Sequence, residues 1–297
     1  MTPRVSVVIA AHDHAHFLPD SLGSVKAQTY PDYEVIVVDN GSTDNTKEVV
    51  EKLSWDKLRY HYQQNTGSVA GPRNTGTKLA RGEYVAYLDS DDSWYPEKLA
   101  KVMRVFADHP EIDLVTHDLL TMVHGKPGDV LRVGPDGKDV FRSLLLGNCV
   151  LGSATVVKKR AMDEIGGFDG DKSFVHVEDY EAWLRLAAKG KKFFFLNETL
   201  GEYRIHKNNL SHDFQTSFDN EIRVVRKHFA GYNSRYPLDK YFLYHSSLAR
   251  IYLRLSYRYF LNGQLWRGLA AAFSSFIYNP YFSVRFGLGA ARRHILK

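Results

Sequence analysis

Ser6–Thr46 reads SVVIAAHDHAHFLPDSLGSVKAQTYPDYEVIVVDNGSTDNT, and its pattern decides the fold. Two nearly continuous β-branched runs, Val5–Ala10 and Glu34–Val38, flank Phe17–Ala27, whose apolar residues recur at helical spacing. Such runs suit strands buried on both faces, the environment of a parallel sheet covered by helices. The alternation continues downstream. Thr43–Leu53 is helical in spacing with Ser42 or Thr43 as its cap, and Leu58–Gln63 is a weaker strand. Tyr84–Leu88 is a third strand after the Arg81-Gly82 turn, and Pro96–Ala107 is a helix with Pro96 in its first turn. Strands alternating with helices predict an α/β domain, Rossmann-like, with a mostly parallel sheet and right-handed crossovers.

A sheet of that kind binds ligands beyond the carboxyl ends of its strands, where strand order reverses. Polar chemistry should therefore follow each strand, and it does. Val5–Ala11 runs into His12-Asp13, Glu34–Val38 into Asp39-Asn40-Gly41-Ser42, and Tyr84–Leu88 into Asp89-Ser90-Asp91-Asp92. Beyond these, His117–Gly147 reads as loops and short strands near an acceptor side. Ser153–Lys158 reads as a strand, Lys159–Ile165 as a short helix, Tyr180–Lys189 as an amphipathic helix and Lys192–Leu196 as a strand. From about Phe214 the pattern is helical.

Five clusters can carry chemistry, and each also has a plain structural reading. Three carboxylates within Asp89–Asp92 repel one another unless solvated or neutralised by a cation. Hard divalent ions take oxygen ligands from one or two carboxylates together with substrate phosphates; the plain alternative is a solvated turn before a helix. Asp39–Asp44 is an Asx-Gly turn whose Asp39 could accept hydrogen bonds from a ribose or a base. Arg73, in Arg73-Asn74-Thr75-Gly76, could fork onto a phosphate or clamp Asp39 or Asp91, or be a surface arginine. Glu178-Asp179-Tyr180-Glu181 is a favourable helix N-terminus, yet Asp179 could also serve as a general base. His206 is either structural or a metal or phosphate ligand.

Taken in order, these stretches resemble the inverting glycosyltransferases of family 2, which have the GT-A fold. The resemblance rests on Ser6–Thr46, on GPRNTGTKLARGEYVAYLDSDDSWYPEKL (Gly71–Leu99), on IGGFDG (Ile165–Gly170), on VEDYEAWLRLAAKG (Val177–Gly190) and on YRIHKNNLS (Tyr203–Ser211). It implies that Ala10 and His12 line the nucleobase pocket, Asp39 binds base or ribose, Asp89 with Ser90 contacts the donor, and Arg73 supports it. Asp91 and His206 would hold a divalent ion, Mn²⁺ or Mg²⁺. Gly167, Phe168 and Asp169 would shape the acceptor side, with Glu178 holding sugar hydroxyls beside the base Asp179. The implied reaction is metal-assisted transfer from a nucleoside-diphosphate sugar, by family habit a UDP-sugar, to a hydroxyl of a glycan or lipid-linked acceptor. His12-Asp13 departs from the family's usual Tyr-Asn. A histidine can still stack on a base, but Asp13 adds a negative charge there.

The organisation expected is a catalytic domain over 1–213, its nucleotide-binding half about 1–110 and its acceptor-binding half about 111–213, followed by a helical extension over 214–297. Charge sets that extension apart. Lys240–Lys297 holds nine Lys and Arg and no Asp or Glu, leaving 30 basic against 34 acidic residues elsewhere, so the formal +5 belongs to the tail. Arg250, Arg254 and Arg258 fall four apart, one stripe along a helix, with Trp266, Phe273, Phe276, Tyr281, Arg285, Phe286, Arg292 and Arg293 beyond. The uncharged run Gly268–Val284 is short and contains Asn279 and Pro280, a poor membrane span. An interfacial region on anionic lipid is the expectation; packing on the catalytic core or a second subunit is the alternative. Basic aromatic sequence also suits nucleic acid, but no nucleic-acid-binding module is present. The single cysteine, Cys149, excludes an intrachain disulfide, and no secretory signal is apparent, which points to a cytoplasmic protein, peripheral on the membrane's inner face. Two other functions remain open. A nucleotidyltransferase would need a Gly-rich basic loop where AAHDHAHF stands, and a non-catalytic nucleotide-sugar binder would have no use for Asp179.

Overall fold

The computed structural model describes residues 2–135, 139–206, 209, 213–232 and 237–287. Lys207, Asn208, Leu210, Ser211, Arg292 and Arg293 lie outside the described residues, as do the side chains of Arg285 and Phe286. Among the described residues one sheet is formed by nine strands: β1 Val5–Ala11, β2 Tyr33–Asn40, β3 Leu58–Gln63, β4 Tyr84–Asp89, β5 Ser93–Trp94, β6 Leu114–Val123, β7 Lys126–Leu131, β8 Val156–Lys158 and β9 Phe193–Ile205. Their order is β3-β2-β1-β4-β8-β6-β9-β5, with β7 on β6. The first four are parallel, as the β-branched runs predict. Beyond β4 the sheet is mixed: β8 runs antiparallel to β4 and β6, β9 parallel to β6, and β5 antiparallel to β9.

The alternation along β1 fills both faces. Val7 and Ile9 pack with Val35, Val37 and Leu88 under the helices Leu18–Lys26 and Lys98–Asp108. Val8 packs the other way with Ile36, Val38, Val85 and Tyr87. The register aligns the ends of the parallel strands: Ala10 lies opposite Val38 and Asp89, and Ala11 opposite Asp39. The chain steps from β1 outward to β3, then returns to place β4 on β1's other side. That reversal is where the polar strand ends meet.

The structure gives an element to one stretch that the sequence reading left without one and corrects three local expectations. The Gly- and Pro-bearing stretch quoted for Arg73 is a helix, Ala70–Leu79. Its glycine is what lets it sit down on the sheet, because a Cβ at Gly76 would come within 2.3 Å of Val8 Cγ1. His117–Gly147 is not mainly loop. It contains the long strand β6, a tight turn at His124-Gly125 where both residues have positive φ, β7, and the helix Val140–Leu146. Polar Thr116, His117 and Asp118 hid β6, yet all three are buried, and Asp118 accepts from the Val133 N–H at 2.8 Å. The helix Thr46–Lys52 has Asn45, not Ser42 or Thr43, at its N-cap, and Asp44 just before it accepts from the Thr46 N–H at 3.0 Å. β9 also runs well past Leu196, with register shifts against β6 that carry Asn197–Thr199.

The helices Phe214–Gly231 and Pro237–Leu261 are not a detached appendage. Phe218, Ile222, Val225, Leu248, Ile251 and Leu255 belong to one buried cluster with Tyr180 and Trp183. Of the expected arginine stripe, Arg254 pairs with Glu221 and Arg250 lies over the Phe282 ring at 5.3 Å; Arg258 is exposed. Among the described residues no helix is long and apolar enough to cross a membrane.

Candidate active site

Arg73 stands at the centre of the site. Its helix is pressed onto β1 by Gly76, so the guanidinium reaches under the end of β4. One nitrogen donates to Asp89 Oδ1 at 2.6 Å and another to Glu178 Oε1 at 2.9 Å. Arg73 and Glu178 are both buried. Burial alone would weaken a guanidinium's charge, but Asp89, Glu178 and Asp179 together hold it above its ordinary range. The sequence left Arg73 free to fork onto phosphate or to clamp Asp39 or Asp91. Of these, it clamps neither Asp39 nor Asp91; Asp89 and Glu178 take it instead. Its ring neighbour is Phe168, 5.6 Å below the guanidinium.

Asp179 opens the helix Glu178–Ala188 and lies beside this cluster. A Cβ placed on Gly152 would be 3.5 Å from both Asp179 Oδ2 and the Arg73 guanidinium, so the two groups share one small space. Burial pushes the Asp179 carboxyl up to about 7, the neighbouring Glu178 charge adds to this, and Arg73 opposes it. A carboxylate with that affinity for protons is poised to accept one near neutral pH.

The Asp89–Asp92 turn divides its carboxylates among different partners. Asp89 faces Arg73. Asp91 Oδ2 meets His206 Nε2 at 2.9 Å and Asn209 Nδ2 at 3.4 Å. Asp92 is buried; its Oδ1 accepts from the Arg204 N–H at 2.9 Å, and its Oδ2 has no hydrogen-bond partner among the described residues. Burial, followed by the charges of Asp91 and Asp89, raises Asp92 well above the usual carboxylate range. Asp92 thus ties the far end of β9 to the turn and delivers His206 to Asp91. Ser90 is buried, with its Oγ 2.7 Å from His14 Nδ1; His14 stands edge-on to His206 with ring centroids 6.0 Å apart. The donor set is two convergent groups, Asp91 and His206, with Asp89 nearby. That composition suits a hard divalent ion completed by phosphate oxygens rather than an all-protein cage, and no group of three such ligands occurs among the described residues.

At the strand ends on the other side, His12 is exposed and lies 3.2 Å from Asn65 Nδ2. Asp39 is 2% exposed and already engaged: Oδ1 accepts from the Ser42 N–H at 2.8 Å and Oδ2 from the Tyr60 hydroxyl at 2.6 Å. Asp13 accepts from the N–H groups of Thr43 and Asp44, at 2.6 and 3.3 Å, which hold its carboxyl below the usual range. The departure from Tyr-Asn therefore stitches two loops together. Asn74 pairs both ways with the Phe168 backbone at 2.8 Å, and a Cβ on Gly167 would strike Asn74 Oδ1 at 2.5 Å. Phe168 is buried against Tyr87 and Trp183. Asp169 pairs with Lys227 at 3.0 Å. Gly167 and Phe168, expected on the acceptor side, thus fasten their loop to the helix of Arg73.

The model for Glycosyl transferase family 2 matches residues 6–119, and that for Glycosyl transferase family group 2 matches residues 84–290, through the C-terminal helices. The chain belongs to glycosyltransferase family 2. A Bacillus subtilis family member, TuaG, provisionally assigned to teichuronic acid biosynthesis, is 30% identical over 70% of this chain and 82% of its own. The Escherichia coli protein WfgD, described as a UDP-Glc:α-D-GlcNAc-diphosphoundecaprenol β-1,3-glucosyltransferase, is 30% identical over 61% of this chain and 69% of its own. The fold matches that of S. aureus TarS 1–349 in complex with UDP-GlcNAc, at a TM-score of 0.68 and 17% identity, over 92% of this chain and 81% of that one. It also matches a mannosyltransferase from Pyrobaculum calidifontis in complex with GDP-Man and Mn²⁺, at a TM-score of 0.63 and 22% identity, over 98% of this chain and 80% of that one. The family 2 chain is thus a glycosyltransferase with a GT-A-type α/β core and a helical C-terminal region.

Proposed function

We propose that this glycosyltransferase moves a sugar from a nucleoside-diphosphate donor, a UDP-sugar, to a hydroxyl of a lipid-linked glycan in cell-envelope polysaccharide synthesis, with inversion at the anomeric carbon. The observation that carries the proposal is the meeting of Asp179 and Asp89, both partly buried, around the buried Arg73 at the sheet's reversal point. Strand ends within about 1–110 hold the nucleotide, 111–213 supplies the acceptor side, and 214–297 braces the acceptor side and faces the membrane.

His12 and Ala10 border the base, and Asp39 shapes that pocket's floor through Ser42 and Tyr60. Asp89, fixed by Arg73, meets the ribose, with Ser90 beside it. Asp91 and His206 would hold Mn²⁺ or Mg²⁺ against the diphosphate; when bound, such an ion offsets the negative charge of the departing nucleoside diphosphate. Asp179 accepts the acceptor hydroxyl's proton as that oxygen bonds to the anomeric carbon and the carbon–oxygen bond to the diphosphate breaks, its electron pair leaving with the phosphate. A single displacement needs no nucleophile from the protein. Glu178, with one oxygen on Arg73 and Oε2 without a partner among the described residues, faces the sugar hydroxyls.

The test is a panel of UDP- and GDP-sugars incubated with the protein, Mn²⁺ and an undecaprenyl-diphosphate-linked sugar, with release of nucleoside diphosphate and product linkage as readouts. UDP release coupled to a product of inverted anomeric configuration supports the proposal. Nucleotide binding without turnover on any donor and acceptor would leave a binding protein instead.

A further inference from the structure

The helix Leu265–Tyr278 is built inside out. Its buried positions are Gly268, Ala271 and Ser275, whereas Leu265, Trp266, Leu269, Phe273, Phe276 and Ile277 are exposed, Trp266 at 81% and Phe273 at 65%. At about 100° per residue those six side chains fall within an arc of roughly 120°, one stripe opposite the small residues. The orientation is fixed by specific contacts to the helix Pro237–Leu261. Ser275 Oγ donates to the Ala249 carbonyl at 2.9 Å, and Ser256 Oγ donates to the Gly268 carbonyl at 2.8 Å. The adjoining helix ends on Phe260 and Leu261, exposed at 41% and 60%, with the Phe260 ring lying against Gly268. A helix facing only water would place its large apolar residues on the inner side.

Charge identifies what covers this face. No acidic residue occurs from Lys240 to Lys297, against nine Lys and Arg. Arg258 and Arg267 are exposed beside the stripe. Two copies pairing through this face about a two-fold axis would bring like charges together with no counter-charge from the region. An anionic bilayer supplies that counter-charge and accepts the aromatic residues.

We infer that the outer face of Leu265–Tyr278 is a docking surface for anionic lipid, the helix lying in the headgroup plane with Trp266, Phe273, Phe276 and Ile277 entering the acyl boundary. The surface deepens, and for its purpose rests on, the reading of a lipid-linked acceptor: it would hold the catalytic cleft at the plane where such an acceptor is anchored.

Full-length protein is sedimented with phosphatidylcholine vesicles, with and without phosphatidylglycerol, and compared with Trp266→Glu/Phe273→Glu and Arg258→Gln/Arg267→Gln variants. The wild type should bind vesicles containing phosphatidylglycerol and lose that binding in high salt. The first variant should bind at least about tenfold more weakly, and the second should lose the preference for phosphatidylglycerol. UDP affinity by calorimetry should be unchanged in both, showing intact folding. Equal sedimentation of wild type and the Trp266/Phe273 variant overturns the inference, as does no sedimentation of the wild type. So does a vesicle-free dimer that the same variant disperses, which would give the face to a second copy. Vesicle binding without sugar transfer sinks the catalytic reading and leaves the surface standing; transfer to the lipid-linked sugar without vesicle binding does the reverse.

Discussion

Arg73 joins Asp89 at 2.6 Å to Glu178 at 2.9 Å, two carboxylates 89 residues apart in the chain, and so ties the end of β4 to the start of the helix Glu178–Ala188. Both halves of the site depend on that one guanidinium. Glu178 is buried, so each partner's charge is tolerated because the other is present.

Replacing Arg73 by Met should strand those acids. The expected loss is about 3–5 kcal/mol, the usual cost of removing one partner from a buried ion pair. Chemical denaturation would measure it. A midpoint shift within error of the wild type would mean the acids relax into solvent without cost.

Gly76→Ala should be destabilising in a position where alanine normally favours a helix. The added Cβ would lie 2.3 Å from Val8 Cγ1, so the helix of Arg73 must lift from the sheet, at about 1–3 kcal/mol. A stabilised variant would show that the helix packs more loosely than described.

Asp91→Ala should abolish the gain in UDP affinity that Mn²⁺ gives the wild type, and His206→Ala should reduce it. Titration of UDP with and without the ion reads this directly. Should the wild type bind UDP equally in both conditions, the ion plays no part in donor binding.

Asp179→Asn should make the protein more stable as pH rises. The native carboxyl titrates at about 7, above its unfolded value of 3.8, so the folded state binds the proton more tightly. The penalty is absent below pH 3.8, grows between there and about 7, and is constant above. The amide escapes it, so the variant's advantage should follow the same course and reach at most about 4 kcal/mol. Melting temperatures across that range decide the matter. A flat difference would mean that Asp179 titrates normally.

Much of this was legible in the sequence because the parallel half of the sheet is written in uninterrupted apolar runs. β1, β2 and β4 end where those runs meet His12, Asp39 and Asp89, so the location of the site followed from the strands themselves. What stayed hidden depended on contacts between distant segments. β6 carries Thr116, His117 and Asp118 in its buried middle, and their partners belong to other parts of the fold, so periodicity could not mark it as a strand. The helix of Arg73 contains Gly71, Pro72 and Gly76, residues that weaken a helical signal, and the Val8 surface that fixes it lies far upstream. Asp92 and Asn74 stood inside quoted motifs without a role. Asp92 is explained by the Arg204 backbone and Asn74 by that of Phe168, each about a hundred residues away. The tail's charge was visible, but the aromatics of Pro237–Leu261 that turn inward could not be told from those of Leu265–Tyr278 that turn outward.

The central claim is that Asp179 is the base. The most direct measurement is single-turnover transfer by wild type and Asp179→Asn at saturating donor, as a function of pH. The wild-type rate should rise through about pH 7 and level off, as the carboxyl loses its proton. The variant should be about 10²–10⁴-fold slower at the plateau, with donor affinity retained and no such rise. A variant that transfers sugar at the wild-type rate, or keeps the same pH profile, would contradict the account.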